Sequence, residues 1–441
     1  RKHENTKTRK HENTKTRKHE IMESAIQTFK DNSIELKPHQ LDAMKWLVNV
    51  ETNCDPAGGI LADDMGLGKT LEALSVILAN RLPHTLIIVP ASLVDQWILE
   101  INKFASDLDI NVDYPGGDVT ITSFHKAAKR ASLRDFAWDR IILDEGHYIR
   151  NHKTQTHKQL KEIDADHKWI LSGTPIQNSL KDLKTLMRFI GAEWCDDDEF
   201  ESLVEEHVLR RTKEELDISM PPLKVFKHYI DFSSDNEKKL YEKVDLGLKY
   251  NNSSCQLVKF LRLRQYTLLP QMVLDSVHDK EKDSSDDYIY KYSNTKLDGV
   301  INTLKKYRDV EKPIVFCHFK KEMEYLKQNL THDGFRVDVI NGDVSMDKRR
   351  EIIDNHEKID ILLIQLQAGS VGLNLQMFNG VYFTAPHWNP THERQAVCRA
   401  YRLGQTKTVY VRRFAIRNTI EQLIINKQKL KKDIARQYNL L

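Results

Sequence analysis

The sequence predicts an α/β protein with two tandem, doubly wound parallel-sheet domains. Between residues 60 and 190, short apolar runs alternate with stretches of helical periodicity, and the alternation returns between 312 and 415. Strands buried on both faces read as continuous apolar runs, and the helices between them supply the crossovers that parallel strands need. A glycine-rich turn, "LADDMGLGKT" (61–70), falls at a strand-to-helix junction, where such sheets bind phosphates.

The elements follow in order. The first twenty residues are two and a half copies of the octad RKHENTKT. Almost no apolar residue occurs there, so residues 1–33 are expected to be a basic, disordered tail. Folded sequence is expected from Ile34, where "IELKPHQLDAMKWLVNV" places Leu41, Met44, Trp46, Leu47 and Val50 at helical spacing after a proline. "TLIIVP" (85–90), "VTITSF" (119–124), "RIILDE" (140–145) and "KWILSG" (168–173) read as buried strands. "TLEALSVILANRL" and "VDQWILEINKFA" read as helices between them. Residues 176–222 read as a charged helical insertion, and "LKVFKHYIDF" (223–232) as the strand closing a first domain over 34–232. A helical segment and the polar linker "HDKEKDSSDDYIYKYSN" fill 233–295. The second domain, 296–415, has strands in "KPIVFCHF", "RVDVING", "DILLIQL", "GVYFTAP" and "TVYVRRFA". Residues 416–441 read as an amphipathic C-terminal helix.

Composition excludes several classes. No apolar run approaches the roughly 18 residues of a membrane span, so no membrane partner is expected. The five cysteines are scattered without CxxC spacing, which suggests neither a zinc site nor a disulfide framework. The net charge of +3 is misleading: the first twenty residues hold 8 Lys/Arg against 3 Glu, and the rest 59 Lys/Arg against 61 Asp/Glu. Any nucleic-acid surface on the body must therefore be a local patch.

Two motifs carry chemistry. In the glycine-rich turn, Asp63, Asp64, Met65, Gly66, Leu67 and Gly68 would wrap phosphate with backbone N–H groups. Lys69 would reach the β- and γ-phosphates, and Thr70 would hold Mg²⁺. Asp63 stands where the first glycine of GxxxxGK[ST] is usual. The second motif is "IILDEGHYIRN" (141–151). Two carboxylates closing an apolar strand are costly unless they serve a cation or a proton. Asp144 fits the Mg²⁺ partner of the lysine turn, and Glu145 fits the group that polarises the attacking water.

"LADDMGLGKT", "LIIVPASLVDQW", "LDEGHYIRN" and "LSGTPIQNSLKDL" come in order in the first half, and "IVFCHF", "AGSVGLNL", "HWNP" and "RQAVCRAYRLGQ" in the second. Over residues 36–430 this set resembles the SWI/SNF-type ATPases of helicase superfamily 2. DEGH with IRN behind it, and GTPIQNSLKDL, resemble the subgroup of the helicase-like transcription factor and the post-replication repair translocases. The compact size is similar to virus-encoded members such as the baculovirus global transactivator. The resemblance implies two RecA-like lobes with an ATP cleft between them, and ATP and Mg²⁺ as cofactors. It implies a DNA-dependent ATPase that translocates on double-stranded DNA and remodels chromatin or other protein–DNA complexes, in the nucleus.

By the same resemblance, Gln40 would read the adenine, and Ser172, Gly173 and Thr174 would couple nucleotide to DNA. Gln395, Arg399 and Arg402 would reach the nucleotide from the second lobe, the two arginines sharing one helix face by their spacing. Expected DNA contacts are Ser92, Thr122, Ser123, Ser172, Thr174, Gly372 and Asn374, with Arg210, Arg211 and Lys213 of "LRRTKEEL" matching a family element. Hydroxyl and N–H contacts to phosphate carry no sequence information, so strong sequence specificity is not expected. Partners would be duplex DNA and the nucleosomes or other proteins bound to it.

Some positions depart from the pattern: Asp64 replaces the usual Glu, and Gln367 and Ser370 stand for Lys and Gly. Loss of that lysine would weaken the grip of the second lobe on DNA. Residues 255–295 contain only Cys255, which rules out a zinc-binding RING there. Two other readings remain at this point. One is a strand-separating helicase of the same superfamily, and the other a catalytically silent DNA-binding regulator.

Overall fold

The computed structural model describes residues 22–176, 179–216, 218–250, 256–273, 294–369 and 373–437. The apolar runs of the first half form β1 (Gly58–Leu61), β2 (Thr85–Val89), β3 (Ile110–Val112), β4 (Val119–Ser123), β5 (Trp138–Asp144), β6 (Ala165–Leu171) and β7 (Val208–Leu209). They make one sheet in the order β3-β4-β2-β5-β6-β1-β7. Every pairing in it is parallel. Both faces are covered, so β2 and β4 are buried along their whole length.

Register decides where the loops meet. Leu61 of β1 and Asp144 of β5 both pair with Leu171 of β6. The three strands therefore end level, and the glycine-rich turn, the Asp-Glu pair and Ser172–Thr174 leave the same edge side by side. In parallel sheets that carboxyl-end edge is where ligands bind.

A buried ion pair fixes the first helix to this sheet. Helix Pro38–Asn53 carries Glu51, which accepts from Arg140 Nε and NH2 at 2.6 and 2.7 Å and from the Trp169 indole at 2.7 Å. Arg140 and Glu51 are both inaccessible to solvent. Burial alone would raise the Glu51 pKa, but the Arg140 guanidinium outweighs it and holds the carboxylate below its ordinary range.

The second half forms β8 (Leu223–Ile230), β9 (Pro313–Cys317), β10 (Val337–Ile340), β11 (Ile361–Gln365), β12 (Gly380–Phe383) and β13 (Val409–Ile416). Their order is β10-β11-β9-β12-β13-β8, again all parallel. Both sheets together establish the α/β class with two parallel-sheet units, and the chain divides between them after Ile218.

Two boundaries differ from expectation. "LKVFKHYIDF" does not close the first domain at 232: β8 pairs with β13 over all eight residues, from Leu223 against Val409 to Ile230 against Ile416. Arg412 on β13 explains the attachment. It is buried, bonds Glu311, and stacks 3.7 Å from the Tyr307 ring and 4.7 Å from the Phe226 ring of β8. Nor does ordered chain wait for Ile34, because residues 22–31 form a helix that buries Ala25 and Phe29. Residues 1–21 of the tail, most of the linker and Ser370 lie outside the described residues. The C-terminal helix runs Ile420–Gln437. Among the described residues no helix is long and apolar enough to cross a membrane.

Candidate active site

The glycine-rich turn leaves β1 and enters helix Lys69–Ala79, whose N-cap is Gly68. Gly66 and Gly68 have φ of 89° and 99°, values that a side chain would strain. A Cβ on Gly68 would also lie 2.5 Å from Gln40 Nε2. The Gln40 carboxamide bridges the turn to the first helix, accepting from Lys37 N at 3.0 Å and donating to Leu67 O at 3.2 Å. Lys69 Nζ donates to Asp63 O at 2.7 Å and Asp64 O at 3.3 Å, which folds the ammonium back over its own turn. Thr70 follows in the first turn of the helix, half-buried.

Asp63 has a different job from the backbone glycine it replaces. Its carboxylate is fully buried and meets the fork of Arg211, with Nε to Oδ2 at 3.0 Å and NH2 to the same oxygen. Arg211 also donates from NH1 to His39 O at 2.5 Å and from NH2 to Glu72 at 3.0 Å. The backbone of 209–211 runs alongside, accepting from Ala62 N at 2.7 Å and Asp64 N at 2.9 Å. Arg210 pairs with Asp64 at 2.9 Å. Burial, and then the Asp63 charge, push Glu72 up to about 8, so a proton stays within this cluster at neutral pH. The expectation that Arg210 and Arg211 face DNA is therefore corrected. Both guanidinium groups are spent on carboxylates of the phosphate turn. Lys213 is buried as well.

Asp144 ends β5, and Glu145 follows with a left-handed φ of 54°. Asp144 Oδ1 accepts from Glu145 N at 2.9 Å, and Oδ2 accepts from the Trp97 indole at 2.9 Å. Burial and then the charge of Glu145 push Asp144 up to about 6, while Lys69 and the indole draw it back. A half-buried carboxylate destabilised in this way is suited to a cation. Among the described residues no group of three His, Cys, Asp or Glu clusters as a metal cage. Thr70 and Asp144 instead fit Mg²⁺ in the manner of sites that take most ligands from water and substrate phosphate. Glu145 Oε2 lies 3.2 Å from His147 Nδ1.

Gly173 completes the edge: a Cβ there would come within 2.8 Å of Met65 and 3.5 Å of Lys69 Nζ. Ser172 Oγ accepts from Thr174 N at 3.3 Å, and the buried Thr174 hydroxyl has no hydrogen-bond partner among the described residues. Ser172 and Thr174 flank Gly173 and are both buried, which corrects the expectation that their hydroxyls touch DNA.

The remaining DNA candidates divide. Ser92 is half-buried in the 3-10 turn Ala91–Leu93 after β2. Ser123 caps helix Phe124–Lys129, accepting from Lys126 N. Thr122 is corrected: it is fully buried and donates to Asp113 at 2.8 Å, so no phosphate can reach it. Asn374 is exposed and its Oδ1 accepts from Gln376 N, while Gly372 lies outside the described residues.

In the second unit, helix Pro390–Ala400 carries Gln395, buried, and Arg399, half-buried. The helix ends at Ala400, so Arg402 lies in the following turn and does not share a helix face with Arg399. Spacing alone gave that expectation, and it missed the stop. Gln405 makes the turn. Its Nε2 donates to Gln376 O, Phe378 O and Ala400 O at 2.9 to 3.1 Å, and its Oε1 accepts from Thr406 N and Lys407 N. Leu375 N also donates to Arg399 O at 3.1 Å, which brings "GLNL" against the arginine helix.

Comparison with known proteins gives consistent matches. The SNF2-related domain matches residues 39–288, and the helicase conserved C-terminal domain matches 295–404. The ISWI chromatin-remodeling complex ATPase ISW1 of Saccharomyces cerevisiae is 26% identical over 90% of this chain and 40% of its own length. The ATP-dependent DNA helicase DDM1 of Arabidopsis thaliana is 28% identical over 89% of this chain and 60% of its own. The probable global transactivator of Orgyia pseudotsugata multicapsid polyhedrosis virus is 26% identical over 90% of both chains. The Sulfolobus solfataricus SWI2/SNF2 ATPase core in complex with dsDNA is 24% identical, with a TM-score of 0.42 over 92% of this chain and 93% of that one.

Proposed function

The chain belongs to the SNF2-related family, and we propose that it is an ATP hydrolase stimulated by double-stranded DNA. In this reading hydrolysis drives translocation along the duplex and remodels chromatin or other protein–DNA complexes, in a nuclear setting. The observation that carries it is the level ending of β1, β5 and β6, which sets Lys69, Asp144, Glu145 and Gly173 on one edge. Relatives named as a remodeling-complex ATPase and a DNA helicase support it.

The residues then act as follows. Lys69 exchanges its two backbone carbonyls for the β- and γ-phosphates. Glu145 takes a proton from the attacking water and orients it. Thr70 and Asp144 would hold the Mg²⁺ that accompanies ATP, and that cation would supply charge neutralisation at the phosphates. Gln40, already bonded to Leu67 O, ties adenine recognition to the shape of the turn. Arg399 and Arg402 supply positive charge from the second unit. Arginines that reach a transferring phosphoryl group speed its transfer by about 10³–10⁵. Ser92 and Asn374, half-buried and exposed, are the duplex contacts, and they read backbone without sequence.

Triplex displacement tests the motor. ATP-driven release of a third strand from a duplex, lost in Lys69→Ala, is the expected result. ATP hydrolysis without displacement on any duplex length would overturn translocation.

A further inference from the structure

We propose that Trp97 is a positioning residue for the cation ligand Asp144, fixing the plane of its carboxylate through the indole N–H. The inference rests on the ATP-site reading above. Trp97 lies on helix Val94–Phe104, a crossover separate from the strand that carries Asp144, and only 2% of it is exposed. Its Nε1 donates to Asp144 Oδ2 at 2.9 Å. The other oxygen, Oδ1, accepts from Glu145 N at 2.9 Å. An indole has one donor and no acceptor, so this bond uses its whole polar capacity. Each Asp144 oxygen is thus held by one donor and keeps further lone-pair capacity for a cation. With both ends pinned, the carboxylate cannot turn about its Cβ–Cγ bond.

Packing alone does not require tryptophan here. A phenylalanine would fill much of the same space and leave Oδ2 with no donor. Donors behind a metal ligand of this kind orient the ligand, and removing one costs about 10–100-fold in metal affinity.

The test measures metal binding without turnover. Trp97→Phe keeps the aromatic packing and deletes the donor. Mn²⁺ is titrated into ADP-bound protein, and free Mn²⁺ is read by electron paramagnetic resonance. We expect Trp97→Phe to weaken Mn²⁺ by about 10–100-fold, with metal-free ADP binding kept within a few fold of the unsubstituted chain. The unsubstituted protein supplies a second readout that needs no variant. One indole N–H resonance of its six tryptophans should shift when Mg²⁺ is added to the ADP complex, and should broaden first when Mn²⁺ replaces it. Equal Mn²⁺ affinity in Trp97→Phe, or bound metal with no indole responding, would overturn the role of Trp97 alone. An unsubstituted chain that binds no Mn²⁺ with ADP would overturn the ATP-site reading, and this inference with it.

Discussion

Arg211 shows how a residue's role can be opposite to its appearance. In sequence it is an arginine in a basic run, and in the fold it pairs with Asp63 and reaches Glu72 beneath the phosphate turn. Removing one partner of a buried charge cluster costs about 3–5 kcal/mol. Arg211→Ala should therefore lower the thermal midpoint and weaken ATP by at least about tenfold, as 1.4 kcal/mol lost at the turn would do. Arg211→Lys should recover only part, since an ammonium cannot fork onto two carboxylates. Unchanged ATP binding with lost DNA binding would restore a DNA-facing role. That Lys69, Asp144 and Glu145 leave strand ends was legible, because each sits in a short motif directly after an apolar run. Arg211 and Trp97 were not, because their partners lie 148 and 47 residues away in the chain. The one local clue was Asp63, an acid at a glycine position, which called for a cation.

The same limit applies to elements. Strands and crossover helices were readable from apolar runs and helical spacing, because parallel strands are buried on both faces. Sheet membership was not readable, since it depends on register. β8 reads as a strand in either domain, and the choice is made by Arg412 between Phe226 and Tyr307. Arg412→Ala should raise amide exchange across Leu223–Ile230 more than across β9, which is hydrogen-bonded on both sides. Equal change in both strands would contradict this role. The Glu51–Arg140 pair holds the first helix to its sheet. Its folded-state pKa is depressed, so its stabilisation is present above the ordinary 4.5 and is lost as pH falls through the lower folded value. Arg140→Ala should cost about 3–5 kcal/mol at neutral pH. The deficit relative to the unsubstituted chain should shrink as pH falls from 4.5 through that window, as followed by urea unfolding across a series of pH values from 7 downward.

For the whole molecule, the body outside the first twenty residues carries 59 Lys/Arg against 61 Asp/Glu, so net attraction to DNA is weak. Duplex affinity should come from a few backbone contacts, with a shallow dependence on salt. Deleting the octad repeat should lower that slope and leave the maximal ATPase rate unchanged. The measurement that tests the central claim most directly is ATP hydrolysis with no nucleic acid, with duplex DNA, with single-stranded DNA and with RNA, using Lys69→Ala as the blank. The account predicts strong stimulation by duplex DNA that the blank abolishes. Stimulation by single strands or RNA alone, or no hydrolysis above the blank, would contradict it.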